Sequence, residues 1–145
     1  MAEYGYVLAQ GQNVEDNQNV LFDNIIPCDR GIILHNEGSG LFLIKPIVTV
    51  PCVRFVRFLV LFNGNVAIPE GGTVGPISLS LSINGEADQS TVATTTPAAT
   101  EDLYNLGFAS YLTVPVGCCT QIAVKNISGT GILVNKPKLI ITQPR

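Results

Sequence analysis

The stretch Ile77-Ser78-Leu79-Ser80-Leu81-Ser82-Ile83-Asn84 decides the fold class. Along an extended chain successive side chains point to opposite faces, so every Ile and Leu here faces one way and every Ser and Asn the other. That is the period of a β-strand with one face on a core and the other toward water or a polar partner. Asn84-Gly85 closes the stretch. This residue pair tolerates positive φ, as a tight hairpin turn requires.

Working outward, further strands read at 19–23, 31–35, 41–44, 54–62, 91–95, 106–114, 120–126, 131–134 and 138–142. Turn-forming groups separate them: Glu37-Gly38-Ser39-Gly40, Asn63-Gly64-Asn65, Pro69-Glu70-Gly71-Gly72, Pro115-Val116-Gly117 and Ser128-Gly129-Thr130-Gly131. No segment sustains helical spacing, and only 100–105 has the composition for a short helical turn. Many short strands with dense punctuation predict an all-β fold, most simply an antiparallel two-sheet jelly-roll sandwich. We expect it to span 19–145, preceded by a polar N-terminal arm over 1–18.

Composition narrows the function. Of 145 residues 46% are hydrophobic and only 13% charged, with 8 basic and 11 acidic side chains and a formal net charge of -3. An ordinary soluble domain has about 25% charged residues. This balance excludes a solvated disordered tail, a Glu/Lys-rich coiled coil and a basic nucleic-acid binder. The N-terminus lacks the basic-then-apolar pattern of a secretory signal, and no apolar run reaches the ~18 residues of a membrane-spanning helix. A cytosolic origin without membrane insertion is expected, with later exposure on a particle assembled inside the cell.

Two stretches depart from simple alternation. In Arg54-Phe55-Val56-Arg57-Phe58-Leu59-Val60-Leu61-Phe62 both faces are largely apolar, so the strand needs cover on both sides. That cover comes from a second copy of the chain or from a long loop of the same chain. The first is the more economical, and it makes Phe55, Arg57, Phe58, Val60 and Phe62 the expected oligomer interface. The N-terminal arm, with Tyr4 and Tyr6 either side of Gly5 and then Val7 and Leu8, reads either as a frayed end or as a strap. In the second reading its tyrosines anchor it to a neighbouring protein.

Catalytic groups are scarce. A Ser–His–Asp set needs an imidazole to accept a proton, and the one histidine, His35, sits at a strand end where a structural role is the simpler reading. Asp29, Glu37, Glu70, Glu86, Asp88, Glu101 and Asp102 fall in turns or loops, where burial would not raise their pKa. Gly71-Gly72-Thr73-Val74-Gly75 lacks the Lys-Ser/Thr of a phosphate loop. No enzyme, no cofactor and no metal is expected.

Four cysteines remain. Cys28 and Cys52 each follow a proline, and Cys118 and Cys119 are adjacent, without the two-residue spacing that lets both sulfurs face one metal. They read as small free thiols, as one disulfide involving Cys28 or Cys52, or as ligands of an ion shared around a symmetry axis. The triplet Asn126-Ile127-Ser128 matches a glycosylation acceptor, and without an export signal it reads as a chance match. The loop 86–96, with Glu86, Asp88, Gln89 and Thr91, has polar groups that suit a carbohydrate, although no Trp is present to stack on a sugar.

Two groups of residues carry a resemblance. The phrases Phe108-Ala109-Ser110-Tyr111-Leu112-Thr113-Val114-Pro115, Cys118 to Asn126 and Gly131-Ile132-Leu133-Val134-Asn135 resemble the last strands of tumour-necrosis-factor-like and complement-globular-head-like jelly rolls. Ile68-Pro69-Glu70-Gly71-Gly72-Thr73-Val74-Gly75-Pro76-Ile77-Ser78-Leu79, Ile83-Asn84-Gly85-Glu86, Thr96-Pro97-Ala98-Ala99 and Val114 to Cys119 are similar to short Firmicutes and phage-associated proteins. Those in turn resemble the C-terminal domains of exosporium collagen-like glycoproteins.

The resemblance covers about 19–143 and implies a homotrimeric jelly roll on a particle surface. The absence of a Gly-X-Y stalk argues against a spore coat. The expectation is therefore a structural phage virion protein, a capsid decoration or head-fibre module assembled in the bacterial cytoplasm. Tyr4, Tyr6, Val7 and Leu8 would meet a major capsid or other shell protein, and the loop with Glu86, Asp88, Gln89 and Thr91 would face the medium and a host-surface glycan. The alternatives are a spore- or cell-surface module of exosporium type and a carbohydrate-binding module.

Overall fold

The structure, a computed structural model, describes residues 2–7, 11–24, 33–36, 38–46, 52–117 and 119–143; for 2–7 and Asn24 it describes the backbone alone. Among the described residues twelve strands follow in chain order: β1 (Ala2–Val7), β2 (Gln12–Val14), β3 (Asp23–Asn24), β4 (Ile33–Leu34), β5 (Phe42–Ile44), β6 (Phe55–Ala67), β7 (Ile77–Ile83), β8 (Glu86–Ala87), β9 (Ala93–Thr95), β10 (Tyr104–Pro115), β11 (Thr120–Asn126) and β12 (Ile132–Gln143). The first sheet has the order β10-β6-β12-β1-β3, with β2 also on β12; the second has the order β4-β5-β11-β7-β8, with β9 also on β7. Neighbouring strands run antiparallel. This is the two-sheet jelly-roll sandwich that the alternation predicts.

The core lies between the sheets. Phe58, Val60, Phe62, Leu112, Val114, Leu139 and Ile141 from the first meet Phe42, Ile44, Leu79, Leu81, Ile122 and Val124 from the second. Phe22 joins the two layers, its ring edge-on to Phe42 at 5.6 Å and to Phe62 at 6.4 Å. The short connection from Pro115 to Thr120 crosses from one sheet to the other, so the starts of β6 and β11 share one end of the sandwich. Ala2 pairs with Gln143 at that same end.

The hairpin at Asn84-Gly85 has φ of 52° and 91°, and Ile83 pairs with Glu86 across it. These are the signs that the mirror-image two-residue turn requires. Asn84 also ties the turn to β11: its N–H donates to Gln121 O at 2.7 Å and its Oδ1 accepts from Gln121 N at 3.0 Å.

Four local expectations are corrected. Asn63-Gly64-Asn65 is no turn but part of β6. Asn63 and Asn105 exchange side-chain hydrogen bonds at 2.7 and 3.2 Å. A Cβ on Gly64 would lie 3.1 Å from Phe62 Cζ and 3.4 Å from Pro137 Cα, so this glycine serves close packing. The stretches at 131–134 and 138–142 form one strand, β12, with an irregularity between Asn135 and Lys138, where Lys136 has φ 52° and Pro137 has no N–H to donate. The helical turn falls at Gln89–Thr91 rather than 100–105, capped by Asp88, whose Oδ1 accepts from Ser90 N at 3.0 Å.

The fourth concerns the stretch expected to be an arm. It supplies β1 and β2, which run antiparallel along β12. Gln12 then takes the role of a strand partner: its Nε2 donates to Leu21 O at 3.0 Å and its Oε1 accepts from Leu21 N at 2.9 Å.

Candidate interaction surface

The registers of β10, β6 and β12 fix which side chains share the outer face of the first sheet. Directly opposed antiparallel residues point to the same side, so the face is a stack of rows. From one end these are Asn105–Asn65–Asn135, Gly107–Asn63–Lys138, Ala109–Leu61–Ile140, Tyr111–Leu59–Thr142, Thr113–Arg57 and Pro115–Phe55. The first two rows are amide-rich. The remaining four are apolar apart from two threonines and one cation.

Exposure confirms the alternation: Phe55 is 59% exposed, Tyr111 56% and Leu61 37%, while the intervening Phe58 and Val60 are fully buried and Phe62 is 3% exposed. The Arg57 guanidinium carbon lies 3.8 Å from the Tyr111 ring centre. Flat on an aromatic face, it is the one charged group in the four apolar rows of these three strands. An exposed apolar surface of this extent, with its charge already engaged, suits contact with another protein surface.

The expected interface is therefore half corrected. Phe55 and Arg57 stand on the outer face. Phe58, Val60 and Phe62 point inward and are buried by their own chain, because a strand with two apolar faces has only one turned to the second sheet. Leu59 and Leu61 take their place, joined by Tyr111, Ala109 and Ile140. The signal for Tyr111 lay in the alternation of β10, where 105, 107, 109, 111, 113 and 115 are all exposed.

Of the residues expected to meet a shell, Tyr4, Tyr6 and Val7 lie in β1, and Leu8 lies outside the described residues. The loop expected to face the medium is built into the second sheet. Glu86 and Gln89 are exposed, but Asp88 is half-buried as a cap, and Thr91 is 3% exposed, so it cannot contact an outside ligand. Thr91 Oγ1 accepts from Leu81 N at 2.9 Å and donates to Asp88 O at 2.8 Å.

His35 stacks on Phe42, centroids 4.2 Å apart and planes within 10°, with Nε2 2.7 Å from Ser39 O; since that oxygen only accepts, Nε2 donates. Cys52 and Cys119 are exposed free thiols, while Cys28 and Cys118 lie outside the described residues. Among the described residues no group of three or more His, Cys, Asp or Glu side chains is placed to hold a metal ion. Asn126 is fully buried, its Nδ2 donating to Val14 O and Thr130 O. Both amide hydrogens are engaged, so in the folded chain Asn126 is a structural hub.

No protein-family model and no curated protein matches the sequence. Solved structures do resemble the fold. Murine APRIL aligns over 97% of this chain and 99% of its own at 10% identity with a TM-score of 0.66. Eiger TNF from S. frugiperda aligns over 100% of this chain and 94% of its own at 12% identity with a TM-score of 0.64. The architecture is thus a TNF-like jelly roll, and at these identities the likeness concerns the fold alone.

Proposed function

We propose that the protein is a structural, non-enzymatic module that assembles as a homotrimer through the outer face of its first sheet. It would stand on the exterior of a virion as a capsid decoration or head-fibre domain, against a major capsid or other shell protein. The observation that carries the assembly is the run of apolar rows from Ala109–Leu61–Ile140 to Pro115–Phe55 on a sheet face its own core does not use.

A second copy suits this face for three reasons. It presents no carboxylate in the four apolar rows of β10, β6 and β12, and the one cation in those rows is already stacked on Tyr111. The apolar rows alone, three strands wide and seven residues long, cover about 14 by 24 Å, a patch of roughly 340 Å², the extent of the apolar patches that mark contact sites. The chain also has 13% charged residues, few for a surface wholly in water. The three-fold symmetry and the virion setting are supported by the sequence resemblance to TNF-like heads and to phage-associated proteins.

Light scattering at micromolar concentration tests the assembly. A mass near three times 15.4 kDa is expected, and 15.4 kDa overturns it. Fractionation of the producing cells tests the setting: co-purification with virions is expected, and recovery on spores or cell surfaces instead assigns an exosporium-type module.

A further inference from the structure

The second sheet carries a different surface from the first. Leu34, Leu43 and Gln121 are mutually opposed across β4, β5 and β11 and form a row on that sheet's outer face. With Asn36, Ser39 and Leu41 they border a groove of about 510 Å³, within the range of small-ligand clefts.

The groove wall is fixed before any ligand arrives. Ser39 O accepts from Phe22 N at 3.1 Å and faces His35 Nε2 at 2.7 Å; Ser39 N donates to Asn36 O at 2.9 Å; Gly38 N donates to Phe22 O at 2.9 Å. Leu41 N donates to Ser39 Oγ at 3.1 Å, which leaves the hydroxyl proton to be given elsewhere. His35, flat on Phe42, closes one side.

The lining chemistry selects a ligand class. No Lys, Arg, Asp or Glu borders the groove among the described residues, so none of these lining side chains would repay the desolvation of a phosphate, a carboxylate or an ammonium group. Asn36 and Gln121 are exposed, and neither side-chain amide has a hydrogen-bond partner among the described residues. Each amide offers donors and an acceptor, which suits hydroxyls that themselves both donate and accept. The same lining holds Leu34 and Leu41, 42% and 44% exposed, with Leu43, an apolar floor for a C–H face. A ligand with uncharged hydroxyls on its edges and an apolar face meets all of these conditions.

We propose that this groove binds a neutral saccharide. The site lies on the sheet opposite the assembly face, so it stays open whether or not the chain trimerises. It replaces the loop 86–96, whose Asp88 and Thr91 are already engaged, as the place where a sugar would sit. With leucines rather than a Trp as the platform, binding is weak, and its strength comes from several copies acting together.

The test is a titration of isotope-labelled full-length protein with neutral hexoses, N-acetylhexosamines and their disaccharides, followed by amide chemical shifts. Saturable shifts at residues 34–36, 39, 43 and 121 are expected with at least one of these sugars. Gln121→Ala and Asn36→Ala should each weaken that binding about tenfold without changing the mass in solution or the unfolding midpoint. Three results overturn the proposal: no neutral sugar shifting these signals, shifts only with anionic sugars, or the same shifts on raising protein concentration alone, which would mean a second copy fills the groove. Mass measured on the same samples keeps this outcome separate from the trimer reading.

Discussion

Arg57 and Tyr111 meet diagonally across two strands. Arg57 is directly opposite Thr113 and Tyr111 is directly opposite Leu59, yet the guanidinium carbon lies 3.8 Å from the ring centre. The side chain therefore runs one row along the sheet instead of standing out into water. Such a contact at an exposed site is worth about 0.5–1 kcal/mol, too little to matter for folding. Its consequence is a flattened surface on which Phe55, Leu59, Leu61 and Tyr111 continue without a protruding charge.

The two faces of β6 make opposite predictions for chemically identical changes. Phe58→Ala empties a fully buried site and should cost about 3–5 kcal/mol, read as a large drop in the urea midpoint. Phe55→Ala removes a ring that is 59% exposed, and in the isolated chain should shift stability by only about 0.5 kcal/mol. In the assembled protein Phe55→Ala should instead weaken association, seen as loss of the high-mass species on dilution. A larger drop for Phe55→Ala than for Phe58→Ala would mean that the face assignment is inverted.

Asn126 is fully buried, with Nδ2 donating to Val14 O at 3.0 Å and Thr130 O at 2.9 Å, while Oδ1 accepts from Ser128 N at 3.0 Å. Removing the amide leaves two carbonyls and one N–H unpartnered, so Asn126→Ala should cost about 3 kcal/mol. Asn126→Asp should be worse at neutral pH, since a carboxylate sets charge against two acceptor oxygens it cannot donate to. Chemical denaturation of both variants checks the order; Asp at or above Ala in stability contradicts it.

These residues also mark how far the sequence could be read. Period-2 alternation is a local property of the chain, so β7, β10 and β11 were legible as strands, and the Asn84-Gly85 turn with them. In 54–62 the need for cover on both faces was visible, but not which face turns inward, because that depends on the distant strands of the second sheet. Asn63-Gly64-Asn65 has turn composition, yet its amides are satisfied laterally by Asn105 and its glycine admits Pro137, partners far off in sequence. The polar N-terminal stretch looked detached because Gln12 gives no sign of bonding Leu21 backbone. The groove of Leu34, Leu43 and Gln121 joins three strands and had no contiguous motif to find.

The hairpin offers a backbone test. Gly85 has φ 91°, and no atom lies within 4 Å of a Cβ placed on it, so any cost of a side chain there is conformational. Gly85→Ala should destabilise by about 1 kcal/mol. Cys52, an exposed free thiol with φ 72°, is the converse: Cys52→Gly should relieve strain and hold or raise the melting temperature. A melting temperature unchanged by Gly85→Ala would show that the turn does not keep this geometry in solution.

Ser80 makes the least intuitive prediction. Its outward position on β7 reads as solvent-facing, yet it is fully buried, and its Oγ has no hydrogen-bond partner among the described residues. It lies opposite Lys125, whose Nζ donates to Gly85 O at 3.0 Å, so the lysine is held along the sheet rather than extended into water. A buried hydroxyl without a partner carries a desolvation cost that folding does not return. Alanine removes that oxygen and leaves only a small void, so Ser80→Ala should be neutral to stabilising by about 0.5–1 kcal/mol, measured by urea unfolding. Ser78→Ala on the same face should destabilise instead, because Ser78 Oγ is bonded to Thr94 Oγ1 at 2.9 Å. A loss of 1 kcal/mol or more in Ser80→Ala would mean that the hydroxyl does find a partner in solution, an ordered water or a shifted Lys125.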